Sequence, residues 1–203
     1  IYLLRRTPYA LVLYPYVGYI NGDSDLPDYF NPAFATSLTN QVSGPERNDP
    51  WCIGFYVNNE LTWTRQGNFP DEKTVGLKTL GAANTSFAKA AFRDQLISKY
   101  VTISALNTQW GTAYTSWTDF MNQQSTLPSG TSGNADLTAF YKTYATQFFS
   151  TCGAVIHSYC NNLFLGCRFA GPWPDAARAC TNYVDVATVN SYASTFSIPT
   201  GLA

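Results

Sequence analysis

The stretch Asp49-Pro50-Trp51-Cys52-Ile53-Gly54-Phe55-Tyr56-Val57-Asn58-Asn59-Glu60-Leu61-Thr62-Trp63 constrains the fold more than any other part of the chain. Pro50 bars its neighbour Asp49 from helical backbone, and an apolar run follows at once. Ile53 to Val57 therefore reads as a short buried strand. Its C-terminal end carries two amides and a carboxylate, Asn58, Asn59 and Glu60. In a parallel α/β barrel that end of a strand is where chemistry sits. A Glu after an Asn at such an edge suits general-acid work on a sugar. Neighbouring strands and rings shield the carboxyl, and the amide can hold a hydroxyl. The plainer alternative is a strand end that turns into a polar loop.

The rest of the chain supplies partners for that strand. Tyr9 to Tyr14, stopped by Pro15, predicts another buried strand. Gly18 to Pro32 reads as a loop. Its Asp23, Asp25 and Asp28 could suggest a calcium loop, but the Gly and closing Glu of an EF-hand are missing, so a solvated loop is expected. Asn31-Pro32 opens a short helix to about Val42. From Trp63 to about Asn84 the chain is polar and loop-like. Ser86 is placed to cap a helix from Phe87 to Tyr100, and a shorter helix closes at Gly111. Leu127 to Gly133 reads as a loop. Asp136 is expected to open a long helix to Tyr159, burying Leu137, Phe140, Tyr141, Tyr144, Phe148, Cys152 and Val155. Leu163 to Cys167 is a third strand, ending in Arg168. Ala176 to Cys180 is a short helix, and Val184 to Val189 a fourth strand, ending at Asn190 and Tyr192. Strands alternating with helices make right-handed βαβ units and a parallel sheet. Polar residues gather at the strand ends, as on the working face of a (β/α)8 barrel.

Composition narrows the function. The formal charge of the 203 residues is -1 and only 12% are charged, which argues against an electrostatic nucleic-acid binder. Aromatic residues make up 16%, with 14 Tyr and 5 Trp. That suits stacking on flat sugar faces, and equally a Tyr-rich extracellular surface. No run of 18 apolar residues is present, so no membrane span is expected. The chain opens at Ile1 without a signal-like segment and is expected to be processed or incomplete. Five Cys permit disulfides and leave one thiol over. With a single His and no Cys-x-x-Cys, a Cys/His zinc site is not expected. There is no Gly-x-Gly-x-x-Gly and no Walker loop for a nucleotide. Asn84-Thr85-Ser86 is a glycosylation sequon.

Four segments carry a family resemblance. Asp49 to Leu61 resembles the acid/base strand of retaining glycoside hydrolases with the (β/α)8 fold, close to the β-agarase group and related to bacterial β-galactosidases. Lys99-Tyr100, Ala105-Leu106-Asn107 and Trp110-Gly111-Thr112 resemble the helical segment after that strand. Leu163 to Ala170 and Asp185 to Tyr192 resemble the next two barrel strands. The resemblance covers about Thr7 to Tyr192 and implies a partial (β/α)8 TIM barrel: strands three to six, without the first two and last two. It implies one catalytic-domain segment over 1–203 with a helical insertion at about 85–160. It also implies roles. Glu60 resembles the general acid/base and Asn59 the amide that holds a sugar hydroxyl. Arg168, Asn190 and Tyr192 stand where substrate contacts are expected, and Trp63 is a candidate stacking platform. Pairing with a barrel carboxylate is the alternative for Arg168, and packing for Tyr192. Trp110 and Trp117 are expected to pack between helices, and His157 to have no catalytic part. Asn58 departs from the family, which more often has an aspartate there.

Retaining hydrolysis needs a second carboxylate about 5–5.5 Å from the first. In the enzymes resembled it ends the seventh strand, and no Glu of this chain matches it. The expectation is therefore an acid/base glycosidase of agar-like β-galactosidic linkages, needing no metal or organic cofactor. Its nucleophile and remaining strands would come from elsewhere in a longer polypeptide or from a partner chain. A secreted setting, a polysaccharide substrate and no nucleic-acid partner go with it. The alternative is an extracellular structural or sugar-binding protein that keeps the barrel without catalysis.

Overall fold

The computed structural model describes residues 6–61, 63, 72–168 and 174–190. In chain order the elements are β1 (Tyr9–Leu13), α1 (Pro32–Val42), β2 (Cys52–Val57), α2 (Lys73–Leu80), α3 (Phe87–Tyr100), α4 (Ile103–Trp110), α5 (Trp117–Asn122), α6 (Gly130–Tyr159), β3 (Leu163–Phe164) and α7 (Pro174–Thr181). The chain divides into two compact units. The first comprises Ile1–Val17, Pro32–Thr62 and Ala145–Ala203, and the second Gly18–Asn31 and Trp63–Tyr144.

The first unit holds a parallel sheet in the order β1-β2-β3. Leu13 pairs with Val57, and Phe55 with Phe164. The central strand is apolar because both of its edges are bonded and most of its residues are covered, although Ile53, expected to be buried, is 49% exposed. Phe55 and Val57 are 1% and 0% exposed. Gly54 is required for close approach, since a Cβ there would lie 2.5 Å from the Leu163 carbonyl oxygen. Phe34 of α1 stacks on Phe148 of α6, and Phe149 meets Phe164.

Two strand expectations change. The third strand is regular only over Leu163–Phe164, and then turns through Gly166 at φ 75 and Arg168 at φ 49. Its backbone still bonds β2, with Leu165 N–H on Phe55 O, Val57 N–H on Gly166 O and Glu60 N–H on Cys167 O. The expected fourth strand, Val184 to Val189, is not a regular strand. The Asp185 carboxylate takes the Phe164 N–H at 2.7 Å, and the Thr188 hydroxyl donates to Leu165 O at 2.7 Å. The Asp185 N–H donates to Phe164 O at 3.0 Å, so one backbone carbonyl and two side chains occupy the edge that a regular ladder would use.

All five cysteines, which permit disulfides by count, are free thiols in this unit. Burial pushes the thiols of Cys152 and Cys167 far up and that of Cys180 up to about 12. His157 Nε2 lies 2.8 Å from Asp185 Oδ2. Burial works to raise the Asp185 carboxyl, but the bonds from His157 and the Phe164 N–H outweigh it and hold its pKa low.

The second unit is helical around an aromatic core. Ser86 caps α3 as expected, accepting the Lys89 N–H at 3.3 Å. Gly111 ends α4 in the left-handed region at φ 64. Asp28 is not solvated: 5% exposed, it accepts the Ser86 hydroxyl and the Ala88 N–H, each at 3.1 Å, and so completes the same cap. The long helix begins at Gly130, six residues before Asp136. Asp136 lies inside it, where its buried carboxylate gathers Lys99 Nζ at 2.6 Å, the Tyr100 hydroxyl at 2.6 Å and Trp110 Nε1 at 2.8 Å. Farther along, Ile156 rather than Val155 is fully buried. Helix α2 replaces part of the expected loop. It seats Val75, Thr79 and Leu80, and its Gly76 lets Leu137 come within 2.8 Å of where a Cβ would be. Lys89 is buried, donates to Ala82 O and Gln123 O, and has its pKa lowered by burial to about 8.

Candidate active site

The C-terminal end of β2 is built by its neighbours on both sides. Asn58 donates its N–H to Leu13 O of β1 at 2.8 Å, and Glu60 donates its own to Cys167 O beyond β3 at 3.1 Å. To make both bonds the chain leaves extended geometry, with Asn58 at φ 59 and Glu60 at φ 54. Asn tolerates the left-handed region through its short polar side chain, whereas a Glu there is strained. The neighbouring strands hold Glu60 in that conformation, which aims a half-buried carboxyl off the strand end. Asn190 donates from Nδ2 to Glu60 Oε1 at 2.5 Å, across 130 residues of chain. Two residues expected at the site, read from separate strand ends, are therefore in direct contact.

Asn59 and Arg168 have a different property in common. Asn59 Oδ1 and Arg168 Nε are buried and have no hydrogen-bond partner among the described residues. Such atoms are rare in folded proteins because each costs the full desolvation of the group. Arg168 directly follows Cys167, whose carbonyl holds the Glu60 N–H. Its guanidinium carbon lies 5.2 Å from the centroid of the Tyr56 ring. Tyr56, on β2, is a contact residue that the apolar reading of the strand passes over. Its signal was the single aromatic hydroxyl in an otherwise hydrocarbon run.

Trp63, Asn84 and Tyr192 complete the expected set. Trp63 belongs to the second unit and is 2% exposed. Its Nε1 donates to the Tyr29 hydroxyl at 3.2 Å, and its ring meets Tyr144 edge-on at 5.3 Å. A stacking platform needs an open ring face, and the Trp63 indole is packed on its neighbours instead. Trp110 is likewise buried. Tyr192 lies outside the described residues. Asn84 is exposed, on a turn before α3, and donates to Asn122 Oδ1 at 2.8 Å. A cavity of about 410 Å³ in the second unit is lined by Tyr19, Asn21, Asp28, Ser86 and Phe87, but the bonds of its carboxylate, Asp28, go to the α3 cap and the Phe30 N–H. Among the described residues there is no group of three or more His, Cys, Asp or Glu that could hold a metal ion.

The arrangement has recognisable relatives. The profile of the glycoside hydrolase family 42, described as β-galactosidase, matches residues 35–200. β-Agarase B of Vibrio sp. (strain JT0107) is 32% identical over 177 residues, which is 82% of this chain and 18% of that protein. β-Agarase A of the same organism is 33% identical over 184 residues, with 82% and 18% covered. The crystal structure of an agarase, AgWH50C, superposes with a TM-score of 0.81 at 29% identity, covering 94% of this chain and 29% of that one. The sheet and its helices match part of the glycoside hydrolase TIM-barrel fold. The chain spans about a fifth of the length of the curated relatives it matches.

Proposed function

This chain belongs to the β-galactosidase family of glycoside hydrolases, with β-agarases among its relatives, and we propose that it carries the acid/base half of a retaining site for β-galactosidic linkages in an agar-like polysaccharide. The observation that carries this reading is the Glu60 carboxyl at the end of β2, held in left-handed backbone and bonded by Asn190 at 2.5 Å. In the proposed reaction Glu60 gives its proton to the oxygen of the leaving sugar as the glycosidic bond breaks. A second carboxylate, on a strand outside these 203 residues, bonds to the anomeric carbon. Glu60, now a carboxylate, takes a proton from water, whose oxygen displaces the enzyme carboxylate and leaves the configuration unchanged.

Asn59 and Arg168 are the proposed substrate contacts, and their buried atoms, without a partner among the described residues, support the role. Each would gain on binding a hydrogen bond that no described residue gives it. Asn190 positions the Glu60 carboxyl, and Tyr192 joins the substrate contacts in this reading. Chemistry of this kind needs no cofactor. We read the 203 residues as one segment of a catalytic domain, with the helices from about residue 85 to 160 as an insertion on the barrel. A polymeric substrate favours a secreted protein, with the exposed Asn84 sequon as a glycan acceptor. No described helix is long and apolar enough to cross a membrane.

The test is the stereochemistry of the reaction catalysed by the full-length protein. NMR of agarose oligosaccharides during the first minutes of digestion is expected to show the β-anomer of the new reducing end before mutarotation. The α-anomer would overturn the retaining mechanism. Absence of any product would favour a sugar-binding barrel without catalysis.

A further inference from the structure

The sheet edge that carries Glu60 has a second feature that the acid/base chemistry does not use. From Leu13 to Val17 burial alternates: Leu13, Pro15 and Val17 are buried, while Tyr14 and Tyr16 point out. Tyr14 is 61% exposed and Tyr16 75%. Alternation of this kind marks extended backbone, in which both rings stand on one side with their Cα atoms ~7 Å apart. The segment is also held in place. Gln41 of α1 clamps Tyr14, accepting its N–H on Oε1 and donating from Nε2 to its carbonyl, both at 2.9 Å. Ser37 Oγ, also on α1, accepts the Tyr16 N–H at 2.8 Å. Side chains of α1 thus do for this stretch what a neighbouring strand would otherwise do.

Its place in the sheet is fixed as well. Tyr14 follows Leu13, which pairs with Val57 and whose carbonyl receives the Asn58 N–H. The two rings therefore leave the C-terminal end of β1, one strand over from Glu60. No charged residue occurs from Thr7 to Gly22 or in α1, so the segment that bears the rings and the helix that holds it are both neutral. With the backbone pinned, only the side-chain torsions of the two rings are left for binding to fix.

We propose that Tyr14 and Tyr16 form an aromatic platform for a neutral, β-linked galactan chain running along the strand ends toward Glu60. The chemistry matches the sugar. The axial 4-hydroxyl of galactose leaves the opposite ring face as a patch of C–H bonds, which lies on the electron-rich face of an aromatic ring. Two rings on one side of an extended strand take two sugar units of the chain. Gln41 and Ser37 are positioning residues that keep the rings in line. The platform rests on the reading of Glu60 for the identity of its sugar, but its test is separate from it.

The experiment uses the full-length protein with Glu60→Gln, so that ligand is not consumed, and calorimetric titration with neoagaro-type oligosaccharides of two, four and six units. Affinity is expected to rise with chain length. Adding Tyr14→Ala or Tyr16→Ala should weaken the hexasaccharide by on the order of five- to tenfold each, while Tyr14→Phe and Tyr16→Phe keep it. Alanine preserves the clamp, because Gln41 and Ser37 hold backbone groups. Gln41→Ala leaves both rings and should cost about threefold by loosening them. Hexasaccharide affinity unchanged in the alanine variants, or no binding by the parent, would overturn the platform. So would phenylalanine variants as weak as the alanine ones, since a ring face would then not be the contact. Turnover retained after Glu60→Gln alone would instead overturn the acid/base reading, leaving the titration of the tyrosines to be judged by itself.

Discussion

The two units of the chain treat buried polarity in opposite ways. In the helical unit, buried charge is matched by partners: Asp136 holds three donors, Asp28 caps α3, and Lys89 donates to two carbonyls. In the sheet unit, Asn59 Oδ1 and Arg168 Nε are buried without partners among the described residues, and Asn58, Glu60 and Arg168 take positive φ beside them, whereas the positive-φ residues of the helical unit, Asn21, Trp63 and Val101, accompany no such atom. Strain and unmet hydrogen bonds persist only where the surroundings over-determine them. The difference teaches where each unit's information lies: the helical unit spends its polar groups on its own fold, and the sheet unit, in the proposed function, keeps some back for a ligand.

The largest effect that could break this contrast is in the helical unit. Asp136→Ala removes the acceptor of Lys99, Tyr100 and Trp110 and leaves the buried indole N–H unpaired. It should cost about 3–5 kcal/mol of stability, read from denaturant unfolding. A loss under 1 kcal/mol would mean that the network is not what orders this unit.

The pH dependence sharpens the contrast next. The Cys152, Cys167 and Cys180 thiols are raised in the folded sheet unit above their ordinary value of 9.0. Above pH 9 the unfolded chain loses these protons and the folded one keeps them, so stability is full below pH 9 and falls as pH rises beyond it. Lys89 has the opposite sign, because its folded pKa of about 8 lies below the ordinary 10.5. Between these values the unfolded chain binds the extra proton, so the helical unit gains stability from pH 8 upward. Above pH 10 its buried tyrosines reverse the trend, with Tyr114 raised to about 12. Hydrogen exchange at pH 8 and 9.5 should resolve the two units. Lys89→Met is expected to abolish the gain, and Cys-to-Ala replacements to flatten the loss.

Ser86→Ala should cost about 1 kcal/mol, the usual value of an N-cap, as an unfolding shift that leaves substrate binding unchanged. The smallest expected effect on stability is that of Asn59→Ala, within about 0.5 kcal/mol, because no bond of its carbonyl is lost. Its signature should be kinetic, a fall in kcat/KM on agarose oligosaccharides of about tenfold or more. A large stability loss with unaltered kinetics would make Asn59 structural.

Much of this fold was readable because its signals are local. Ser86 ahead of an apolar stripe marks α3, and Pro50 ahead of Ile53 to Val57 marks β2. Elsewhere local patterns misled. Val184, Val186 and Val189 look like a strand until the Asp185 side chain takes the edge N–H of Phe164. Helix α2 is not legible locally because half of its buried residues are Gly76 and Thr79, which carry little hydrophobic signal. Asp136 looked like a helix start because its three partners lie 26 to 37 residues away. At the site, Glu60 and Asn59 stood out from the strand end, but the Asn190 contact spans 130 residues, and no local rule reaches that far. Trp63 is a candidate platform by the family resemblance, and its burial against Tyr29 and Tyr144 leaves no open ring face.

The most direct measurement of the central claim is turnover of agarose by the full-length protein with Glu60→Gln, alongside titration of the same variant with agarose oligosaccharides. If Glu60 is the acid/base, turnover of the unactivated polymer should fall by at least about a thousandfold, with oligosaccharide affinity within about threefold of the parent. Turnover unchanged by the substitution would contradict the account and remove Glu60 from the mechanism.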